Sequence, residues 1–403
     1  MRVRTASAIT AIAAGAIAAG SLCAAPGRGG SDAAPLPHAG PSHAELFTAE
    51  GGPVAPGDPP PGVSGTAPGD CAVCHAEIAA EWASSAHARA WTDPIFQAEY
   101  GLTRQTFCRH CHAPLACDAP EPGPAASTVA VPTAAPDSDA SPGASGGAHA
   151  ARGIDCAVCH VRDGHVLGVR GGGGGEHAAQ RDARLATTAF CARCHQFDFP
   201  RPGPGERVRY HPGRPLQNTV VEWSQSRYAD RPCQECHMPR AGEAGGSHRS
   251  HAFRTLDDPA LMARAVRVSG QARRRGGTVR VTVVIAPGEI GHAFPTGDMF
   301  RRVVLTVRAG AARRCEVLMR HFAQTITDDG SGHLLGQVDD TRVPPPGAGP
   351  PASLDFELVD PGATEVAWSI DLLRLSPEDA LDRGFDAAAV ERRVLSGRLA
   401  IER

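Results

Sequence analysis

Lysine is absent from this chain: of its 403 residues, all forty basic side chains are arginine. Abundant Ala, Gly and Pro point to a biased composition as the first cause. The chemical consequence is that no site in the protein can use a lysine ligand. Strong charge of one sign is also missing, since the formal net charge is −3, which argues against a nucleic-acid partner. Long apolar runs are missing too. Residues 7–22 are small and apolar but too short and too weakly hydrophobic for a membrane span. After the basic start Met1-Arg-Val-Arg4 they read as an export signal over residues 1–25. Cys23 offers a lipid attachment point, although Leu22 is larger than the residue such signals place there. The alternative is a soluble exported protein cut near Ala25, in the periplasm or at the cell surface.

What is present in quantity is cysteine followed by histidine. C-x-x-C-H occurs five times, at Cys71–Cys74–His75, Cys108–Cys111–His112, Cys156–Cys159–His160, Cys191–Cys194–His195 and Cys233–Cys236–His237. Two thiols three residues apart can add to the two vinyl groups of one porphyrin, and the next histidine reaches its iron. A zinc site or a disulfide framework is the alternative, but neither requires histidine in every copy. The motifs use ten of thirteen cysteines and predict five covalently attached haem c groups. Some arginines then have an obvious use in pairing with haem propionates.

The pattern along the chain predicts several domains. Residues 26–68 are Pro-, Gly- and Ala-rich and read as a linker, and residues 69–255 carry all five motifs. Within them, residues 118–152 form a low-complexity insertion. So little apolar sequence separates the motifs that the haems must supply much of the core. The expectation is a haem-packed, mainly α and irregular cytochrome domain, with helices at Ala76–Ala90 and Asn218–Tyr228. Residues 264–403 lack the motif and show alternating runs at Thr278–Ala286, Arg302–Arg308, Ser353–Val359 and Glu365–Leu372, with a helical insertion at 377–391 and a last strand near 397–402. That pattern predicts an antiparallel β-sandwich.

The sixth iron ligand decides between an electron carrier and an open, reactive site. Outside the motifs, the candidate distal histidines are His87, between Trp82 and Trp91, His165, His177, and one or both of His248 and His251. His110, inside a motif, is better placed to face solvent or a propionate. His292, in Gly291-His-Ala-Phe-Pro-Thr-Gly297, either hydrogen-bonds its own turn or serves as a distal ligand. Cys117 and Cys315 either pair or are unrelated thiols.

Several blocks resemble a known family. EWASSAHARAW after the first motif is similar to the W-x-x-S-x-H-A-x-A segment of the multihaem cytochrome c-552/c-554-like family. FCRHCHAPLA, GIDCAVCHVRDGH and QNTVVEWSQSRYADRPCQECHMPR resemble further blocks of related cytochromes, and the stretch from Gly291 is similar to a G-H-x-F-P-T-G block that opens an appended β-domain. The resemblance implies bis-histidine haems in stacked pairs that exchange electrons with redox partner proteins. It differs from the four-haem prototype in its fifth motif, its insertion and its β-domain. The alternative function is a haem enzyme with one open iron, acting on a small nitrogen or sulfur compound. Because all five motifs end in histidine, a lysine-ligated centre of the pentahaem nitrite reductase kind is excluded.

Overall fold

The structure, a computed structural model, describes residues 59–116, 152–162, 164–172, 177–201, 209–241, 248–326, 333–360 and 362–403. The export signal, Cys23, Cys117, most of the 26–68 linker and all but the last residue of the 118–152 insertion lie outside them. No helix among the described residues is long and apolar enough to cross a membrane. The chain divides into two compact units that do not follow sequence order. One holds the described residues up to Cys194 together with Pro232–Thr255. The other holds His195–Arg231 and Leu256–Arg403.

The motif-bearing unit is built of short helices, turns and small hairpins. Helices span Pro68–Ala72, Ala76–Ala83, Pro94–Thr103, Thr106–His112, Cys156–His160, Thr188–His195 and Cys233–His237. The helix expected over Ala76–Ala90 ends at Ala83 for a local reason. Ser84 Oγ donates to Glu81 O, and Ser85 Oγ accepts from Ala88 N, so serine side chains take hydrogen bonds that a continuing helix would use. Buried apolar residues such as Trp82, Ile95, Leu115, Leu167 and Leu185 are scattered, and no apolar core comparable to that of the other unit forms among the described residues.

The large sheet of the second unit has eight strands among the described residues: β1 (Val266–Arg275), β2 (Thr278–Pro287), β3 (Arg302–Ala309), β4 (Ala312–Ile326), β5 (His333–Asp340), β6 (Ala352–Val359), β7 (Glu365–Leu373) and β8 (Glu391–Glu402). They form one sheet, ordered β5-β4-β3-β7-β8-β1-β2-β6, rather than the two separate sheets of the expected sandwich. The expectation was close for a physical reason. An antiparallel five-stranded half and an antiparallel three-stranded half are joined only where β8 and β1 run parallel over two residue pairs, Ile401–Ala272 and Glu402–Arg273. The sheet curls there, and β6 lies against β3 and β4. The inward side chains of both halves make one core: Val279, Val281, Val283 and Ile285 from β2, Val303, Leu305 and Val307 from β3, Leu358 from β6, and Ile370 and Leu372 from β7. Outward positions pair as charges and hydroxyls, as in Arg280–Glu357 at 2.9 Å and Thr282–Asp355 at 2.6 Å. The β1–β2 turn is Gly276-Gly277, with Gly276 at φ +59°, the left-handed conformation a two-residue hairpin demands.

Residues 195–231 belong to this unit by direct bonds. Gln196–Arg201 pairs with Arg209–Asn218, and helix Thr219–Ser224 follows, shorter than the Asn218–Tyr228 expected. Gln196 Oε1 accepts from Val220 N and Val221 N, which satisfies the first amides of that helix. Arg320 of β4 donates to the carbonyls of Leu216, at 2.7 Å, and Pro215. Glu222 of the helix pairs with Arg342 at 2.8 Å, both side chains being almost wholly buried.

Candidate haem-binding site

An α-helical turn brings residues i, i+3 and i+4 onto one face. The sequence C-x-x-C-H therefore presents two sulfurs and one imidazole together wherever it is helical. Thr106–His112, Cys156–His160, Thr188–His195 and Cys233–His237 each end on the motif histidine. In the first motif a single turn does the same, with His75 N donating to Cys71 O at 2.9 Å. None of the ten motif cysteines is in a disulfide. Cys315, by contrast, is disulfide-bonded.

The motif turns adjoin one another. Cys71 lies beside Cys156, Cys111 beside Cys194, and Cys191 beside Cys233. The first turn thus touches the third, and the fourth touches both the second and the fifth. Burial pushes the Cys108 and Cys159 thiols up to about 12, so in the folded chain they stay protonated and would be weak metal ligands. Among the described residues no cysteine joins any group of three or more potential ligand side chains; one such group exists, Glu77, Glu81 and His248, with ligand atoms within 4.8 Å of one another. A structural zinc site built on C-x-x-C pairs gathers four protein donors, several of them thiolates, around one point, and the motif cysteines do not supply that.

Two pairs of histidines are arranged differently, with their rings close together and tilted. The rings of His75 and His177 have centres 6.2 Å apart, and those of His160 and His251 6.1 Å apart. A nitrogen–metal bond is about 2 Å and a ring centre lies roughly 1.1 Å from its nitrogen, so two imidazoles facing across one metal ion have centres about 6 Å apart. Both pairs have that separation.

Hydrogen bonds fix the tautomers. Nδ1 of His112 lies 2.6 Å from Ala90 O, Nδ1 of His160 2.9 Å from Leu167 O, and Nδ1 of His237 2.7 Å from Arg254 O. A carbonyl only accepts, so each Nδ1 carries the proton and Nε2 keeps its lone pair for a metal. His251 has the same arrangement, with Nδ1 2.8 Å from Arg249 O. Burial lowers the pKa of His160 and of His251, and for His251 the facing His160 adds to the effect. Both rings are held neutral, the form a metal requires. Nδ1 of His177 is buried without a hydrogen-bond partner, an atom whose desolvation coordination would offset.

The remaining candidates sit as follows. His248 places Nε2 3.2 Å from Glu81 Oε2, so of the two histidines in SHRSH it is His251 that faces a motif histidine. His87 packs edge-on against Phe253 at 4.3 Å, beside His251, which meets the same ring at 5.8 Å. His165 is exposed on the Val161–Arg162/His165–Gly168 hairpin and lines a cavity of about 310 Å³ with Arg162, Arg181 and Arg184. In the sheet unit, His292 directs Nδ1 to Ala293 O at 3.0 Å. The carbonyl acceptors and Glu81 escaped the sequence reading, because a backbone carbonyl has no residue signature and Glu81 looks like any polar position on a surface helix.

The fold is similar to that of a penta-haem cytochrome c552 from Thermochromatium tepidum, at 20% identity and a TM-score of 0.55, with 82% of this chain and 97% of that one covered. No protein-family model and no curated protein matches the sequence. The chain thus has the fold of a multihaem c-type cytochrome.

Proposed function

We propose that this protein is an exported penta-haem c-type cytochrome, periplasmic or at the cell surface, that passes electrons to and from redox partner proteins. Five C-x-x-C-H motifs hold five haems through Cys71 and Cys74, Cys108 and Cys111, Cys156 and Cys159, Cys191 and Cys194, and Cys233 and Cys236. His75, His112, His160, His195 and His237 are the proximal ligands. His177 is the distal partner of His75, and His251 that of His160. His87, His165 and His292 are the further distal candidates. Haem, when bound, supplies the one-electron couple; the chain's residues set ligand identity, burial and spacing. The two facing imidazole pairs carry the reading, because their separation suits one iron and they leave no sixth position for a substrate at those two sites.

The protein matured with c-type haem should gain the mass of five haems, and changing Cys156 and Cys159 to Ala should remove one. His177→Ala should keep all five and convert one from low spin to high spin in the ferric spectrum. Fewer than five haems on the wild-type chain, or an all-low-spin His177→Ala protein, would overturn the corresponding assignment.

A further inference from the structure

The hairpin that follows the third motif, and the short strand Ala179–Arg181 beside it, build the cavity of about 310 Å³. Leu167 and Gly168 pair in parallel with Gln180 and Arg181. Gly171 lies so close to Arg181 that a Cβ there would meet the Arg181 backbone nitrogen at 2.9 Å, and its φ is +67°, so both contact and conformation require glycine. The strand that carries Arg181 is thereby held in place against the hairpin. At roughly 30 Å³ per water, the cavity has the size of a small anion with part of its hydration shell.

The lining is positively charged. It carries the guanidiniums of Arg162, Arg181 and Arg184 against one carboxylate, that of Asp182. Arg184 takes both oxygens of this carboxylate, with Nε at 3.0 and 3.1 Å and Nη2 at 2.8 Å. Arg162 commits its two terminal nitrogens to the carbonyls of Ala157, Val158 and Val161, so it adds its charge from a fixed place in the wall. Burial lowers the pKa of Arg162, and the like charges of Arg193 and Arg184 add to the effect, which marks a positive field that Asp182 does not cancel. Arg181 is exposed beside the Arg184–Asp182 pair, and its planar fork of donors suits two oxygens of an oxyanion.

Two sets of bonds tie this lining to the third motif. Leu167 O accepts from Nδ1 of His160 at 2.9 Å, and Arg162 holds two carbonyls of helix Cys156–His160. Because Nδ1 points at Leu167, the Leu167 wall of the cavity lies behind the imidazole, away from Nε2, the nitrogen kept for iron. We infer that the cavity binds a small oxyanion of the phosphate or sulfate kind, and that its occupancy lowers the reduction potential of the haem on Cys156 and Cys159. The binding stands on the lining alone, and its effect on potential rests on the haem assignment above. A negative charge placed close behind the proximal ligand favours ferric over ferrous iron.

The test uses the fully matured protein in a chloride buffer of fixed ionic strength, with inorganic phosphate as the probe. Calorimetry reads binding and a spectroelectrochemical titration reads the haem potentials. Phosphate should bind at a single site and move one haem component to lower potential. Arg181→Gln should weaken binding by about tenfold or more, the loss expected of charge-assisted hydrogen bonds, and remove the shift. Arg181→Lys, which keeps the charge without the fork, should fall between. Asp182→Asn keeps an oxygen for the Arg184 N–H and removes the opposing charge, so it should bind phosphate more tightly, a gain that a folding defect does not produce. Arg280→Gln, on the sheet, should bind as the wild type does, and equal weakening there would reduce the effect to general charge and overturn the site. No binding by the wild type also overturns it; if Arg181→Gln then still shifts one potential, the anion beside Arg181 is the carboxylate of a haem propionate rather than a free ligand. Binding that leaves every potential in place overturns the link to the third motif. Fewer than five haems by mass overturns the haem assignment, and the phosphate calorimetry then judges the site by itself.

Discussion

At the scale of single residues, the contrast between Arg342 and the exposed arginines shows what burial does to a charge. Arg273–Glu402 and Arg280–Glu357 sit on the outer face of the sheet, more than half exposed, and pairs of that kind contribute about 0–1 kcal/mol. Arg342 and Glu222 are 4% and 6% exposed, and Arg342 also holds Asp340 and the Pro295 carbonyl. Removing one member leaves the other ionised in a place water does not reach, which costs about 3–5 kcal/mol. Arg342→Ala should therefore lower the unfolding midpoint of the sheet unit far more than Arg280→Ala does. Urea titration followed by tryptophan fluorescence checks this, and equal effects would refute it. Nothing in the sequence separated these arginines. The motif turns were legible because a helical C-x-x-C-H fixes by spacing alone where its two sulfurs and imidazole fall. The choice of His251 over His248 was not, because it depends on where Glu81 and the Arg249 carbonyl lie in space.

At the scale of elements, the third motif helix shows how a five-residue turn is made to hold. Cys156–His160 is too short to be stable alone. Asp155 caps it, with Oδ1 accepting from Ala157 N at 3.0 Å and Val158 N at 3.4 Å, and Arg162 donates back to the Ala157 and Val158 carbonyls. Asp155 is buried, and burial pushes its pKa from 3.8 up to about 6, against the pull of Arg152 3.4 Å away. The sign follows from linkage. Between about pH 4 and 6 the folded chain binds a proton here that the unfolded chain has released, so this residue's contribution improves as pH falls through 6 and is unfavourable above it. Asp155→Asn keeps an oxygen for the cap and removes the ionisation. Its thermal midpoint should exceed the wild type's at pH 7, and the gap should narrow by pH 4.5. A constant gap across that range would show that Asp155 does not titrate there. Strand elements were legible where apolar alternation was clean, as in β2, whose valines at 279, 281 and 283 are fully inward. β1 and β4 were not, because arginines interrupt their alternation, and in β4 the charged Arg320 points inward to the carbonyls of 215 and 216.

At the scale of the whole molecule, composition suggested a boundary near residue 264, where the motifs stop and alternation begins. Contacts set the sheet unit differently, since the strand pair and helix of 196–224 complete it. A motif-based reading misses this, because the segment lies between the fourth and fifth motifs and looks like their linker. Its bonds to the sheet are buried: Arg320 is 2% exposed and donates to backbone carbonyls of the segment, while Arg342 takes its carboxylate partner from Glu222. Residues 264–403 expressed alone would keep both arginines and lose these partners. Arg320 then loses its backbone acceptors, Arg342 keeps Asp340 but loses Glu222, and the surface the segment covers is laid open, losses that together cost several kcal/mol, comparable to the whole stability of a domain of this size. The excised piece should therefore be marginal, with poor NMR dispersion and rapid proteolysis. The same piece extended to start at Leu256 and joined through a Gly/Ser linker to residues 195–231 should be folded and cooperative in urea. If residues 264–403 alone unfold at the same urea midpoint as the joined version, the segment contributes nothing to the sheet and the boundary suggested by composition is the physical one.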